Sequence, residues 1–139
     1  MKILGLDYGK ARIGLAVSDE SGVIATPLCV IERTSLEADL GRIAAAATQH
    51  QAARIAVGMP INLDGTRGLA ARDVARFTEL LAARVSIPIE PWDERLTTAQ
   101  AERAMIDSDM SRRRRKQRID AVAAQLMLQS YLDAGRGKC

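Results

Sequence analysis

The sequence predicts an α/β fold: a mixed five-stranded sheet, an antiparallel three-strand meander plus two parallel strands, flanked by helices. Two observations predict it. The chain opens with three apolar runs joined by short polar links, which is the layout of a meander. Two further short apolar runs then alternate with stretches of helical periodicity. Strands separated by helices form right-handed crossovers and become parallel neighbours.

The elements follow in order. Ile3, Leu4 and Leu6 read as a strand buried on both faces, ending on Asp7. Gly9 permits a close turn, and Ile13, Leu15, Ala16 and Val17 return as the second strand. The turn-like DESG at 19–22 leads to VIATPLCVIE at 23–32, where Pro27 lacks a donor and favours a sheet edge. Thr34 and Glu37 have capping-box spacing, and Leu36, Leu40, Ile43, Ala44 and Ala47 follow at helical spacing.

ARIAVGMP at 53–60 is a compact strand ended by Gly58 and Pro60. The loop INLDGT at 61–66 contains Asp64 in an Asp-Gly turn and opens a second helix with Ala70, Val74, Phe77 and Leu81 on one face. IPIEPW at 87–92 is the last strand. Thr97 and Gln100 give another capping-box spacing, for a helix to about residue 106. A final helix is expected over about 116–132, with Ile119, Val122, Ala123, Leu126 and Tyr131 available for burial. Neither a repeat nor a linker interrupts the chain, so residues 1–139 are expected to form a single domain.

Composition narrows the class. Hydrophobic residues make up 47% of the 139 residues and aromatics only 3%, so a folded core must be built mainly from Ala, Val, Ile and Leu. No apolar run is long enough to span a bilayer. The start, MKILGLDYG, lacks a signal-peptide layout because its apolar run is short and ends on a charge. Cys29 and Cys139 form neither a disulfide framework nor a zinc site. A cytoplasmic protein with no membrane partner is the expectation.

The first strand lies centrally in the expected sheet, between the meander and the strand at 53–58. In open α/β sheets ligands gather at the carboxyl ends of the strands near the switch point, and Asp7 stands there. A charge ending a buried strand is costly unless something pairs with it. Three other acids can reach that edge: Asp93 and Glu94 at the end of the last strand, and Asp120 near the start of the last helix. Adjacent strand residues point to opposite faces, so one of Asp93 and Glu94 is expected to reach the site. Converging carboxylates repel one another without a counter-charge. Mg²⁺ or Mn²⁺, with hard oxygen preference, supplies it. Two such ions about 3.5–4 Å apart support phosphodiester hydrolysis.

The net charge is +3, but six basic residues crowd into seven positions: Arg112, Arg113, Arg114, Arg115, Lys116 and Arg118. Such a cluster suits a nucleic-acid backbone. Arg12 and Arg95, each close to a candidate acid, are further candidate phosphate contacts. Trp92 reads as packing or as a base-stacking platform. His50 ends a helix, where a cation suits the dipole, and Asp19 and Glu20 read as turn residues.

LDYGKARIGLAVSD, VGMPINLDGT, DERLTT and IDAVAAQLMLQSYL together resemble the bacterial YqgF family, also called RuvX, a group described as Holliday junction resolvases. The four motifs occur in order over nearly the whole chain. The resemblance implies a ribonuclease H-like fold and metal-dependent nuclease activity. It also implies maturation of the 5′ end of precursor 16S ribosomal RNA or action on branched DNA, with the ribosome as a possible partner, and cleavage leaving a 5′-phosphate and a 3′-hydroxyl. Its acidic set falls on Asp7, Asp93 or Glu94, and Asp120; the family pattern favours Glu94, making Asp7, Glu94 and Asp120 the expected metal ligands. Gly9 and Gly14 match the family's tight first hairpin.

Two other classes remain open on sequence. The D-x-G hairpin also resembles the phosphate loop of actin-like kinases, which would make the chain part of a phosphotransferase. A non-catalytic RNA- or ribosome-binding factor would use the basic run alone. A monomer and a homodimer are both compatible with the sequence.

Overall fold

The computed structural model describes residues 1–59, 68–93 and 112–136. Strands β1 (Lys2–Tyr8), β2 (Arg12–Ser18) and β3 (Ala25–Glu32) come first, followed by helix α1 (Leu36–Gln49), strand β4 (Ala52–Met59), helix α2 (Leu69–Ala82), strand β5 (Ile89–Asp93) and the long helix α3 (Arg112–Arg136). The sheet order is β3-β2-β1-β4-β5, with β1 in the centre and β3 at an edge, as Pro27 requires. β1–β2 and β2–β3 are antiparallel; β1–β4 and β4–β5 are parallel.

Alternation along β1 divides the core into two layers. Leu4 and Leu6 face α1 and α2, in a cluster with Ile13, Leu15, Ile55, Val57, Ile43, Val74 and Phe77. Ile3 faces α3, with Ala16, Ala56, Ala124, Met127, Leu128 and Leu132. On the α3 side the residues at the middle of the sheet are small, since Gly5 stands in register with both Ala16 and Ala56. A β-carbon on Gly5 would lie 2.9 Å from Leu128 Cβ, so the helix rests directly on the strand. α3 is also tied to the start of β3: Gln129 accepts from the Ala25 N–H at 2.9 Å, and Gln125 donates to the Ala25 carbonyl at 3.2 Å.

Four local expectations are corrected. α1 is capped by Ser35, whose side chain accepts from the Ala38 N–H, whereas the Thr34 N–H bonds the buried carboxylate of Asp39. α2 buries Ala71 rather than Ala70, with Val74, Phe77 and Leu81 as expected. The last helix begins at Arg112, earlier than expected, because Arg, Lys and Gln are good helix formers. Among its described side chains Ala121, Ala123, Ala124, Met127, Leu128 and Leu132 are buried, while Val122, Leu126 and Tyr131 are half-buried; the side chain of Ile119 lies outside the described residues. The expected helix at 97–106 and the loop holding Asp64 lie outside the described residues.

Candidate active site

Asp7 is the penultimate residue of β1 and is half-buried. It is in register with Gly14 of β2 and Gly58 of β4, and Gly58 is in register with Trp92 of β5. One rung therefore reads Gly14, Asp7, Gly58, Trp92. Strand alternation places Asp7 on the same face as Ile3 and Gly5, the face covered by α3. The strands on either side of Asp7 thus contribute only hydrogen as side chain at its rung.

The other acids converge on this edge by their backbone positions. Asp93 is the last residue of β5, in register with Met59 and one step beyond the Asp7 rung. α3 runs opposite to β1, since Leu128 meets Gly5 while Leu132 joins the cluster around Ile3. Asp120 stands eight residues before Leu128, roughly 12 Å up the helix, whereas Asp7 lies only about 7 Å beyond Gly5. The helix thus brings Asp120 to the carboxyl edge of the sheet. Glu94 and Arg95 lie outside the described residues. Among the described residues no three His, Cys, Asp or Glu side chains form a metal-binding group.

The turn after Asp7 is tight. The Gly9 N–H donates to the Arg12 carbonyl at 2.9 Å, and a β-carbon on Gly9 would lie 2.6 Å from that oxygen, so only glycine fits. Arg33, just past β3, grips this turn. Its Nη1 donates to the carbonyls of Gly9 at 3.1 Å and Lys10 at 2.9 Å, and its Cζ lies 4.4 Å from the centre of the Tyr8 ring. Tyr8 in turn packs on Phe77 of α2, with ring centres 4.5 Å apart. Burial pushes the Tyr8 phenol above its ordinary value, against the opposing pull of the Arg33 charge. Arg33 carries no motif signal: it is a single cation in IERTS, and sequence reasoning missed it.

Trp92 is engaged with α3. Its Nε1 donates to Ser130 Oγ at 3.2 Å, and its ring meets Tyr131 edge-on at 5.6 Å. The Tyr131 hydroxyl donates to Glu90 at 2.7 Å and accepts from Arg54 at 3.0 Å, which fixes that pair. Packing is therefore the role of Trp92 in this structure. Arg12 opens β2 beside the hairpin, and the positions of Arg112, Arg113, Arg114, Arg115, Lys116 and Arg118 form the first two turns of α3. His50 caps the C-terminus of α1, just before the start of β4 and so at the opposite end of the sheet from Asp7.

A family profile described as "RuvX: Holliday junction resolvase" matches residues 1–134. The chain belongs to the RuvX family. A Myxococcus xanthus protein named "Putative pre-16S rRNA nuclease" is 43% identical over 136 residues, covering 98% of this chain and 90% of that one. A Symbiobacterium thermophilum protein of the same name is 48% identical over 134 residues, covering 96% and 93%. Among solved structures, Thermus thermophilus RuvC in complex with a Holliday junction substrate superposes with a TM-score of 0.56 at 19% identity, over 99% of this chain and 97% of that one. The fowlpox virus resolvase bound to Holliday junction DNA gives 0.60 at 11% identity, over 96% and 98%. These likenesses show a ribonuclease H-like fold, in agreement with the strand order.

Proposed function

We propose that this RuvX-family chain is a divalent-metal-dependent nuclease that processes the 5′ end of precursor 16S ribosomal RNA in the cytoplasm. The observation that carries the reading is the Asp7 rung: a carboxylate between two glycines at the carboxyl edge, where the ends of β5 and α3 arrive. The names of the relatives support the substrate.

Asp7, Glu94 and Asp120 would hold Mg²⁺ or Mn²⁺. The fit rests on hard oxygen donors and on the arrival of β1, β5 and α3 at one edge of the sheet. When bound, such ions polarise the phosphate and activate water for in-line displacement. The family pattern places its second acid at Glu94 of this motif, which is the reason to favour it over Asp93. The protein's own contribution is positioning. β1 fixes Asp7, α3 fixes the backbone of Asp120, and the cations at the start of α3 hold phosphates a turn or two from Asp120. Arg12 and Arg95 would add phosphate contacts on either side.

A second reading is action on branched DNA, which the family description favours. One pure preparation, assayed with Mn²⁺ on precursor 16S RNA and on a four-way DNA junction, decides between them. Cleavage of the RNA that stops with chelator is the expected result. Faster cleavage of the junction would move the substrate to DNA, and full activity in excess chelator would remove the metal scheme.

A further inference from the structure

We infer that Arg33 is a positioning residue for the proposed nuclease centre: it clamps the hairpin that follows Asp7 and so fixes the direction of that carboxylate. The inference rests on the nuclease reading of the Asp7 edge. Between Asp7 and β2 the chain has only residues 8–11 in which to reverse. The turn itself supplies one backbone bond, from Gly9 to Arg12. Its carbonyls at Gly9 and Lys10 point outward and are collected by a single guanidinium. The Arg33 N–H adds a bond to the Ala11 carbonyl at 3.0 Å, and the guanidinium covers the Tyr8 ring. Every residue from Tyr8 to Ala11 therefore touches Arg33.

The clamp is itself held. Asp39 on the first turn of α1 is only 1% exposed, and its Oδ2 lies 3.9 Å from Arg33 Nε while its Oδ1 accepts from the Thr34 N–H at 3.2 Å. A buried carboxylate needs a cation or donors to be tolerated, so Asp39 and Arg33 orient one another. The planar fork lets one side chain bond two carbonyls and stack on a ring at once, which an ammonium cannot do. Lys10 is exposed at the tip of the clamped turn, three residues after Asp7, so the same contacts also hold the backbone that carries this cation.

The test uses the full chain with Arg33→Ala and Arg33→Lys. Amide hydrogen exchange reads the clamp, and steady-state cleavage of precursor RNA with Mn²⁺ reads its consequence. For Arg33→Ala, exchange should accelerate at residues 8–12 while the centre of the sheet, Leu4 and Ile55, keeps its protection. kcat should fall about ten- to a hundredfold, as misplacement of a catalytic group does, with KM changing much less. Arg33→Lys should recover part of kcat. Unchanged exchange at residues 8–12 overturns the inference. Faster exchange with wild-type kcat, or exchange rising equally throughout the sheet, reduces Arg33 to a structural residue and also overturns it. If the wild type cleaves nothing, the nuclease reading falls separately, the positioning inference falls with it, and the exchange data report only whether the clamp holds the turn.

Discussion

Gly5 and Leu128 meet at the centre of the sheet with no space between them: a β-carbon on Gly5 would lie 2.9 Å from Leu128 Cβ and 3.2 Å from its Cδ2. The same helix carries Asp120 to the edge where Asp7 stands, so this contact sets the height of one acid above the other.

Gly5→Ala should therefore do two things. Overpacking of a closely fitted core costs about 1–3 kcal/mol, which for a chain of this size lowers Tm by roughly 3–10 °C. Cleavage should fall by more than the loss of folded protein explains, because α3 must lift. Thermal melts and kcat on the same samples check both. A variant with wild-type Tm would show that Leu128 yields without cost.

The two neighbouring acids should separate. Glu94→Gln is expected to lose most cleavage, and Asp93→Asn to lose much less, because the family pattern places its second acid at Glu94. Parallel kcat measurements on the two variants check this. Equal, small losses would mean that neither residue is a ligand.

The basic run now lies on two turns of helix, and successive helical positions are spread around the axis. About half of the six cations can thus face one substrate. Replacing all six by Gln should reduce the slope of log affinity against log salt by roughly 2–3 units, at about 0.7–0.9 per phosphate released. The maximal rate should change far less. An unchanged slope would show that the run only faces solvent.

Asp19 turned out to organise the β2–β3 turn. Its carboxylate accepts from Ser21 Oγ at 2.6 Å and from the N–H groups of Val23 and Ile24 at 2.8 and 3.1 Å. These bonds, the Ser21 hydroxyl first, lower its pKa from 3.8 to about 2. A depressed carboxylate stabilises the fold above its unfolded pKa, and that contribution is lost as pH falls through the folded one. The stability difference between wild type and Asp19→Ala should accordingly shrink between about pH 4 and pH 2. Urea unfolding at several pH values measures it, and a constant difference would contradict the assignment.

Much of the fold was legible because its signals are local. Pro27 marks an edge strand, the short links around residues 9–12 and 19–22 force antiparallel neighbours, and the helical stretches between later strands force parallel ones. The buried face of α3 was not legible. From Ala121 to Leu132 its sequence is apolar nearly all round, so periodicity selects no stripe; the choice is made by Gly5, Ala16 and Ala56, which leave room for Ala124 and Leu128. Asp7 was legible because a charge closes a buried strand. Its glycine neighbours Gly14 and Gly58 become meaningful only through strand register. Arg33 was illegible because its partners are backbone carbonyls, which leave no mark on the sequence.

The central claim is that Asp7 is part of a nuclease centre, and the Asp7→Asn variant tests it most directly. The measurement is Mn²⁺-dependent cleavage of precursor 16S RNA by wild type and variant, each freed of contaminating nuclease, with Tm recorded on the same samples. The account predicts that cleavage is abolished while the variant still melts cooperatively as a folded protein, since Asn keeps the size and shape of Asp. Wild-type cleavage by the variant would contradict it.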